Sequence, residues 1–243
     1  PHREAGVLDH VGYLPEERGL YKKMEVRRVL KFLAELKGVD GRTAEIWRAK
    51  DGSRTAASWR RADGRTQVPL RLEAGEAVFV VFETSTTEQA FTAPTLRTVA
   101  VGQVEGPWRI VFQPGRGAPA ETIADRLTSW TDSADDGVRY FSGVATYSAA
   151  FAAPQTPGPD GRIWLDLGDV REVAEVRVNG KPVGGAWTAP FRVDVTDALS
   201  AGENRLEIDV ANYWHNRLVG DVQPGATPVA STTVAAYGSE TPL

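Results

Sequence analysis

The 243 residues include 28 Lys and Arg against 32 Asp and Glu, a net charge of −4, and 42% are apolar. That length admits one large domain or two small ones with a real core. The mild negative charge gives no reason to expect nucleic acid or an anionic membrane as partner. Without cysteine, disulfides, thiolate metal sites and cysteine nucleophiles are excluded, and no apolar run approaches the roughly 18 residues of a membrane-spanning helix.

Residues 1–42 are read apart from the rest, near +2 against −6 for the remainder. Pro1-His2-Arg3-Glu4 lacks an initiator methionine and the apolar core of a signal peptide, which leaves the compartment unknown. In residues 24–37 the apolar positions Val26, Val29, Leu30, Leu33 and Leu36 follow the stripe of an amphipathic helix, with Gly38 placed as its C-cap. Such a stripe offers a surface for self-association. Val11-Gly12-Tyr13-Leu14-Pro15-Glu16-Glu17-Arg18-Gly19-Leu20-Tyr21 followed by this helix resembles the Q-loop and first helix of the helical subdomain of an ABC-transporter ATPase, with Glu16 at the Q-loop position. The chain contains no Gly-x-x-x-x-Gly-Lys-Ser/Thr phosphate cradle, so nucleotide hydrolysis is not expected.

From Thr43 the pattern turns to strands. Residues 45–48, 66–72 and 77–83 read as a small β unit with a polar turn at 50–54. In the last of these strands apolar residues fall on both faces. Residues 84–94 have the composition of a linker, closed by Pro94. Residues 96–104 and 108–112 read as the first strands of a second domain, 113–119 as a loop, and 121–130 as a weak helical turn.

The clearest signals lie between Arg139 and Asp221. Four runs alternate apolar and polar residues: 145–151, 162–167, 174–178 and 205–211. Ala174, Val176 and Val178 share one face opposite Glu175 and Arg177. Leu206, Ile208 and Val210 do the same opposite Glu207 and Asp209, the period of half-buried strands. Asn179-Gly180 supplies the positive-φ pair of a tight hairpin, and Ala201-Gly202-Glu203-Asn204 a second turn. Short strands separated by turns at this spacing predict an antiparallel β-sandwich or jelly roll. Beyond Asp221 the tail is rich in Pro, Ala, Ser and Thr, with residues 232–237 as a candidate edge strand.

Tyr140-Phe141-Ser142-Gly143, Leu165-Asp166-Leu167-Gly168, Val176-Arg177-Val178-Asn179-Gly180-Lys181, Trp187 with Pro190-Phe191, and Asn212 through Asp221 together resemble the galactose-binding-like jelly roll of glycoside hydrolases. The match is most similar to the C-terminal part of family 106, the α-L-rhamnosidases, and more distantly to family 2. It extends upstream, because residues 66–72 with 78–82 resemble the small sandwich that precedes that jelly roll. The expected organisation is therefore an ATPase-like helical fragment at 1–42, a small β unit and linker at 43–94, and a jelly roll at 95–243.

A glycosidase needs two carboxylates flanking the scissile bond. The resemblance implies none here, since in family 106 the catalytic acids belong to a barrel upstream of the matched region. Asp135-Asp136 and Glu203 with Asp209 read as solvated faces. The histidines His2, His10 and His215 are scattered, against a His-based metal site; a structural calcium is implied only by the resemblance. Trp187, Asn212, Trp214, Asn216, Arg217 and Asp221 form the candidate ligand-binding set. Sugars stack on aromatic rings while a few placed polar groups bind their hydroxyls. Core packing of the tryptophans and an Arg217–Asp221 structural ion pair are the alternative. The expected function is a non-catalytic carbohydrate-binding sandwich for a rhamnose- or galactose-containing glycan, without the catalytic barrel. The other readings are a structural interaction module and a piece of an α-L-rhamnosidase.

Overall fold

The computed structural model describes residues 11–13, 41–49, 52–72, 76–95, 97–155, 158, 161–233 and 236–243. The candidate helix at 24–37 lies outside them. The chain divides into two compact units, Pro1–Thr98 and Val99–Leu243. Among the described residues no helix is long and apolar enough to cross a membrane.

The first unit is built from β1 (Val11–Tyr13), β2 (Arg42–Arg48), β3 (Arg54–Ala56), β4 (Trp59–Ala62), β5 (Arg65–Gln67), β6 (Val78–Ser85) and β7 (Ala90–Phe91). They form two antiparallel sheets, ordered β1-β6-β2-β3 and β5-β4-β7. Ala44, Ala57, Trp59 and Phe82 make its small core. Two expectations change here. The presumed linker instead contains the end of β6 and all of β7, and within residues 66–72 the strand stops at Gln67. Asp63 (φ 53°) and Gly64 (φ 70°) turn the β4–β5 hairpin.

The second unit contains β8 (Trp108–Phe112), β9 (Glu121–Ala124), β10 (Val144–Ala152), β11 (Trp164–Asp166), β12 (Val173–Val178), β13 (Lys181–Ala186), β14 (Arg192–Asp194) and β15 (Glu203–Ala211). Two short helices, α1 (Asp136–Arg139) and α2 (His215–Asp221), complete it. Six strands form one antiparallel sheet in the order β13-β12-β15-β10-β8-β9, and β11 pairs with β14 in a second. The apolar face of the large sheet packs against the small one: Ala174, Val176, Val178, Leu206 and Ile208 share a core with Val193, Val195, Leu165 and Phe191. This is the antiparallel sandwich that the alternation predicted.

On the opposite face of the large sheet the polar partners pair laterally. Thr146 Oγ1 donates to Asp209 Oδ1 at 2.6 Å, and Arg177 Nη1 donates to Asp209 Oδ2 at 2.8 Å. The Arg177 guanidinium holds the Asp209 carboxyl below its usual range. Asn179 (φ 54°) and Gly180 (φ 76°) form the β12–β13 turn. The Asn179 side chain also donates to Asn204 Oδ1 at 2.7 Å and accepts from the Arg205 amide. Asn204, 1% exposed, spends both ends of its amide on the second predicted turn, at Ser200 and Gly202, and on Asn179 of the first. A buried amide so saturated fixes turn and register together.

Three other segments differ from expectation. The described residues between 97 and 104 are not strand, and Val99 and Val101 are exposed. Residues 121–124 form β9 rather than a helical turn, with a single 3-10 turn at Trp130–Asp132. The described residues of 232–237 are not strand, while 234 and 235 lie outside the described set.

An aromatic cluster closes the core beside β8 and β10. Phe141, fully buried, meets Phe112 and Trp130 edge-on at centroid distances of 4.9 and 5.1 Å, and Trp130 stacks on Tyr147 while donating its Nε1 to the Tyr147 hydroxyl at 2.6 Å. Burial pushes that hydroxyl from 10.0 up to about 12, outweighing the opposing effect of the Trp130 bond. An unfolded tyrosine ionises first, so the stability contributed by this group is complete below about pH 10 and declines between pH 10 and about 12, by up to about 1.4 kcal/mol per pH unit. The stability advantage of the wild type over Tyr147→Phe should shrink across that interval in chemical denaturation. An advantage independent of pH would refute the assignment.

Candidate functional site

The ends of the strands decide which loops meet. Ala186 of β13 pairs with Ala174 of β12, which pairs with Val210 of β15, which in turn pairs with Ala145 of β10, and that residue with Phe112 of β8. One end of the sandwich therefore gathers the loop after β8 (113–120), the Ser142-Gly143 approach to β10, the segment after β13 (187–191) and the segment after β15 (212–221). Ala186 and Ala211 stand on strands separated only by β12, about 10 Å apart across the sheet. Trp187 and Trp214 thus leave the same end.

Three aromatic side chains are open there: Trp187 is 70% exposed, Tyr213 68% and Trp214 43%. Neither tryptophan fills the core. The guanidinium carbon of Arg116 lies 4.1 Å from the centre of the Trp214 ring, a cation–π contact that props this ring from the neighbouring loop. Arg116 was not among the residues selected from sequence; Tyr213 belongs to the terminal aromatic and polar cluster that the sequence shows, outside the ligand-binding set. The proline-glycine loop carrying Arg116 gave no sign that it would return to Trp214, whereas Tyr213 stood beside a chosen residue.

The polar members of the candidate set serve several purposes. Asn212 bridges the approach to β10: its Nδ2 donates to Phe141 O at 3.0 Å and its Oδ1 accepts from Gly143 N at 3.0 Å. Asn216 is half-buried on α2. Arg217 is 7% exposed and Asp221 9%, one helical turn apart, with Nε and Oδ1 at 2.7 Å. This contact is an ion pair by distance, but the N–H does not point along the line of a hydrogen bond, and both atoms are otherwise enclosed. Asp221 Oδ2 accepts the amides of Val229 and Ala230 at 3.0 and 2.7 Å, tying the tail to α2. The Arg217 amide donates to the buried Ser142 Oγ at 2.9 Å. Gly220 allows this packing, since a β-carbon there would stand 2.5 Å from Tyr140 Cβ and 2.7 Å from Arg217 Nη2.

Helix α2 was not expected from the sequence, which left these residues in loops. The signal that could have placed it is the Arg217/Asp221 spacing of four. Two shallow depressions among the described residues lie elsewhere: one of about 440 Å³ by Arg61 and Arg65 in the first unit, the other of about 490 Å³ by Glu105 and Arg126 at the opposite end of the sandwich. We place the candidate site on the exposed rings, because its distinguishing chemistry is an open aromatic rim rather than a cavity. Among the described residues no group of three or more His, Cys, Asp or Glu side chains could hold a metal ion.

Residues 122–234 match the family model of the glycosyl hydrolase 2 galactose-binding domain-like sandwich, so the second unit carries a galactose-binding-like domain of the glycosyl hydrolase type. The rhamnosidase of Novosphingobium sp. PP1Y is 44% identical, with a TM-score of 0.78 covering 84% of this chain and 19% of the other. A Formosa agariphila protein named "Putative beta-glucuronidase" is 43% identical over 117 residues, 48% of this chain and 10% of its own length. A stretch of 38 residues, 16% of this chain, is 58% identical to 13% of the Bacillus subtilis "Uncharacterized ABC transporter ATP-binding protein YhaQ". The chain thus spans a fifth or less of each of these relatives.

Proposed function

We propose that this chain is a non-catalytic carbohydrate-binding β-sandwich, taking a rhamnose- or galactose-containing glycan at the end that carries Trp187, Tyr213 and Trp214. The observation that supports it best is the exposure of three aromatic rings on one end of a galactose-binding-like domain. An open ring offers a face for the C–H side of a sugar, and exposing it to water has a cost that a ligand would relieve. Isothermal titration with L-rhamnose, galactose and rhamnose-containing oligosaccharides, with and without calcium, tests the reading. Saturable heat is expected. Trp214→Ala should weaken binding about tenfold, or about 1.4 kcal/mol, and Trp187→Ala should weaken it too, both with stability changed by no more than about 0.5 kcal/mol. Unchanged affinity in both variants would sink it.

A second reading, that the chain works as a piece of an α-L-rhamnosidase, is favoured by the 44% identity over 84% of its length to the Novosphingobium enzyme. Hydrolysis of an aryl α-L-rhamnoside by the purified chain, abolished by one Asp or Glu substitution, would establish it.

A further inference from the structure

At the same end of the sandwich one arginine stands without a carboxylate: Arg139, Arg171, Arg192 and Arg217 each meet one, and Arg116 does not. Arg116, half-buried over the Trp214 ring, has no hydrogen bond or ion pair with any described residue. Arg217 is buried and paired through Nε alone; Nη1 and Nη2 meet no acceptor among the described residues. Its partner Asp221 is occupied on the other oxygen by two backbone amides. The carboxylate of Asp135 accepts the amides of Gly137 and Val138 at the start of α1. Asp166 and Asp169 at this end are matched by Arg192 and Arg171.

The loop after Arg116 approaches the second guanidinium closely. Gly117 has φ 88°, and a β-carbon there would stand 2.6 Å from Arg217 Nη1, so any other residue would crowd that nitrogen. Arg116 and Gly117 are neighbours in sequence, so the loop that carries Arg116 over the Trp214 ring also lies against the Arg217 guanidinium. A guanidinium fork is matched to a planar oxyanion, and a carboxylate received by it gains two parallel hydrogen bonds.

Resting on the carbohydrate reading of this end, we infer that the glycan it takes is acidic: a uronic acid residue stacked on Trp214 with its carboxylate between Arg116 and Arg217. The test compares digalacturonic acid with the neutral digalactose of the same linkage by isothermal titration at low and high salt. The acidic disaccharide should bind at least tenfold tighter, and the advantage should fall as salt rises. Arg116→Gln should erase most of this ratio of the two affinities, and Arg116→Lys should restore part.

Binding of both sugars with equal affinity, still dependent on Trp214, would overturn this inference and leave the carbohydrate reading intact. Binding of neither would overturn both. Preference for galactose 6-sulfate with no response to galacturonate would also overturn it, by assigning the arginines to a sulfate ester. Because Arg217 is buried and its loss risks the fold, the test rests on Arg116, whose side chain reaches the surface.

Discussion

Phe141→Ala should lower the stability of the second unit by about 3–5 kcal/mol, the cost of deleting a fully buried phenyl ring and leaving its cavity. Phe141 has no exposed surface and touches the rings of Phe112 and Trp130 edge-on. It therefore joins β8, the turn at Trp130–Asp132 and the approach to β10 in one contact set. Its carbonyl also accepts the Asn212 side chain, so collapse around the cavity would disturb the segment that leads to Trp214. Denaturation followed by Trp130 fluorescence should show a lower midpoint with an unchanged slope. Phe141→Leu, which keeps most of the volume, should cost less than about 1.5 kcal/mol. A loss below about 1 kcal/mol for the alanine variant would show that the ring is not the hub of this core.

How much of this arrangement the sequence disclosed depends on the range of the interaction. Period-two alternation in Val173–Val178 and Glu203–Ala211 identified both strands and the residues that are buried, because alternation records one wet and one dry face. Asn179-Gly180 marked its turn because few residues adopt two successive positive φ angles. The same chemistry at Asp63-Gly64 was equally readable and was overlooked. Val99 and Val101 show why alternation alone misleads: they repeat like a strand, but no neighbour completes a ladder and both remain exposed. The candidate site was legible as a list of side chains and opaque as a network. Nothing local says that Asn212 spends its amide on Phe141 and Gly143, or that Arg116 crosses to Trp214 from a loop 98 positions earlier. Those are long-range contacts, decided only when β8 and β15 flank β10.

Asp221→Ala should cost about 3–5 kcal/mol, as much as the loss of Phe141, through a different cause. It leaves the Arg217 charge buried without its partner, which is strongly destabilising, and removes the acceptor of the Val229 and Ala230 amides. Asp221→Asn separates the two effects: its remaining oxygen still accepts backbone amides, so the variant should fall between wild type and alanine. The paired replacement Arg217→Met with Asp221→Leu removes both charges and fills their volume, and should recover most of the stability lost in the single variant, since a buried ion pair gives little net stabilisation over a well-packed apolar pair. Thermal and chemical denaturation of the four proteins would check the order. A paired variant as unstable as Asp221→Ala would mean that the amide contacts, rather than the charge, hold the tail to α2. A paired variant near wild-type stability that no longer distinguishes digalacturonic acid from digalactose would give the buried arginine its reason: a charge whose value to the fold is small, kept beside the loop that carries Arg116 over Trp214.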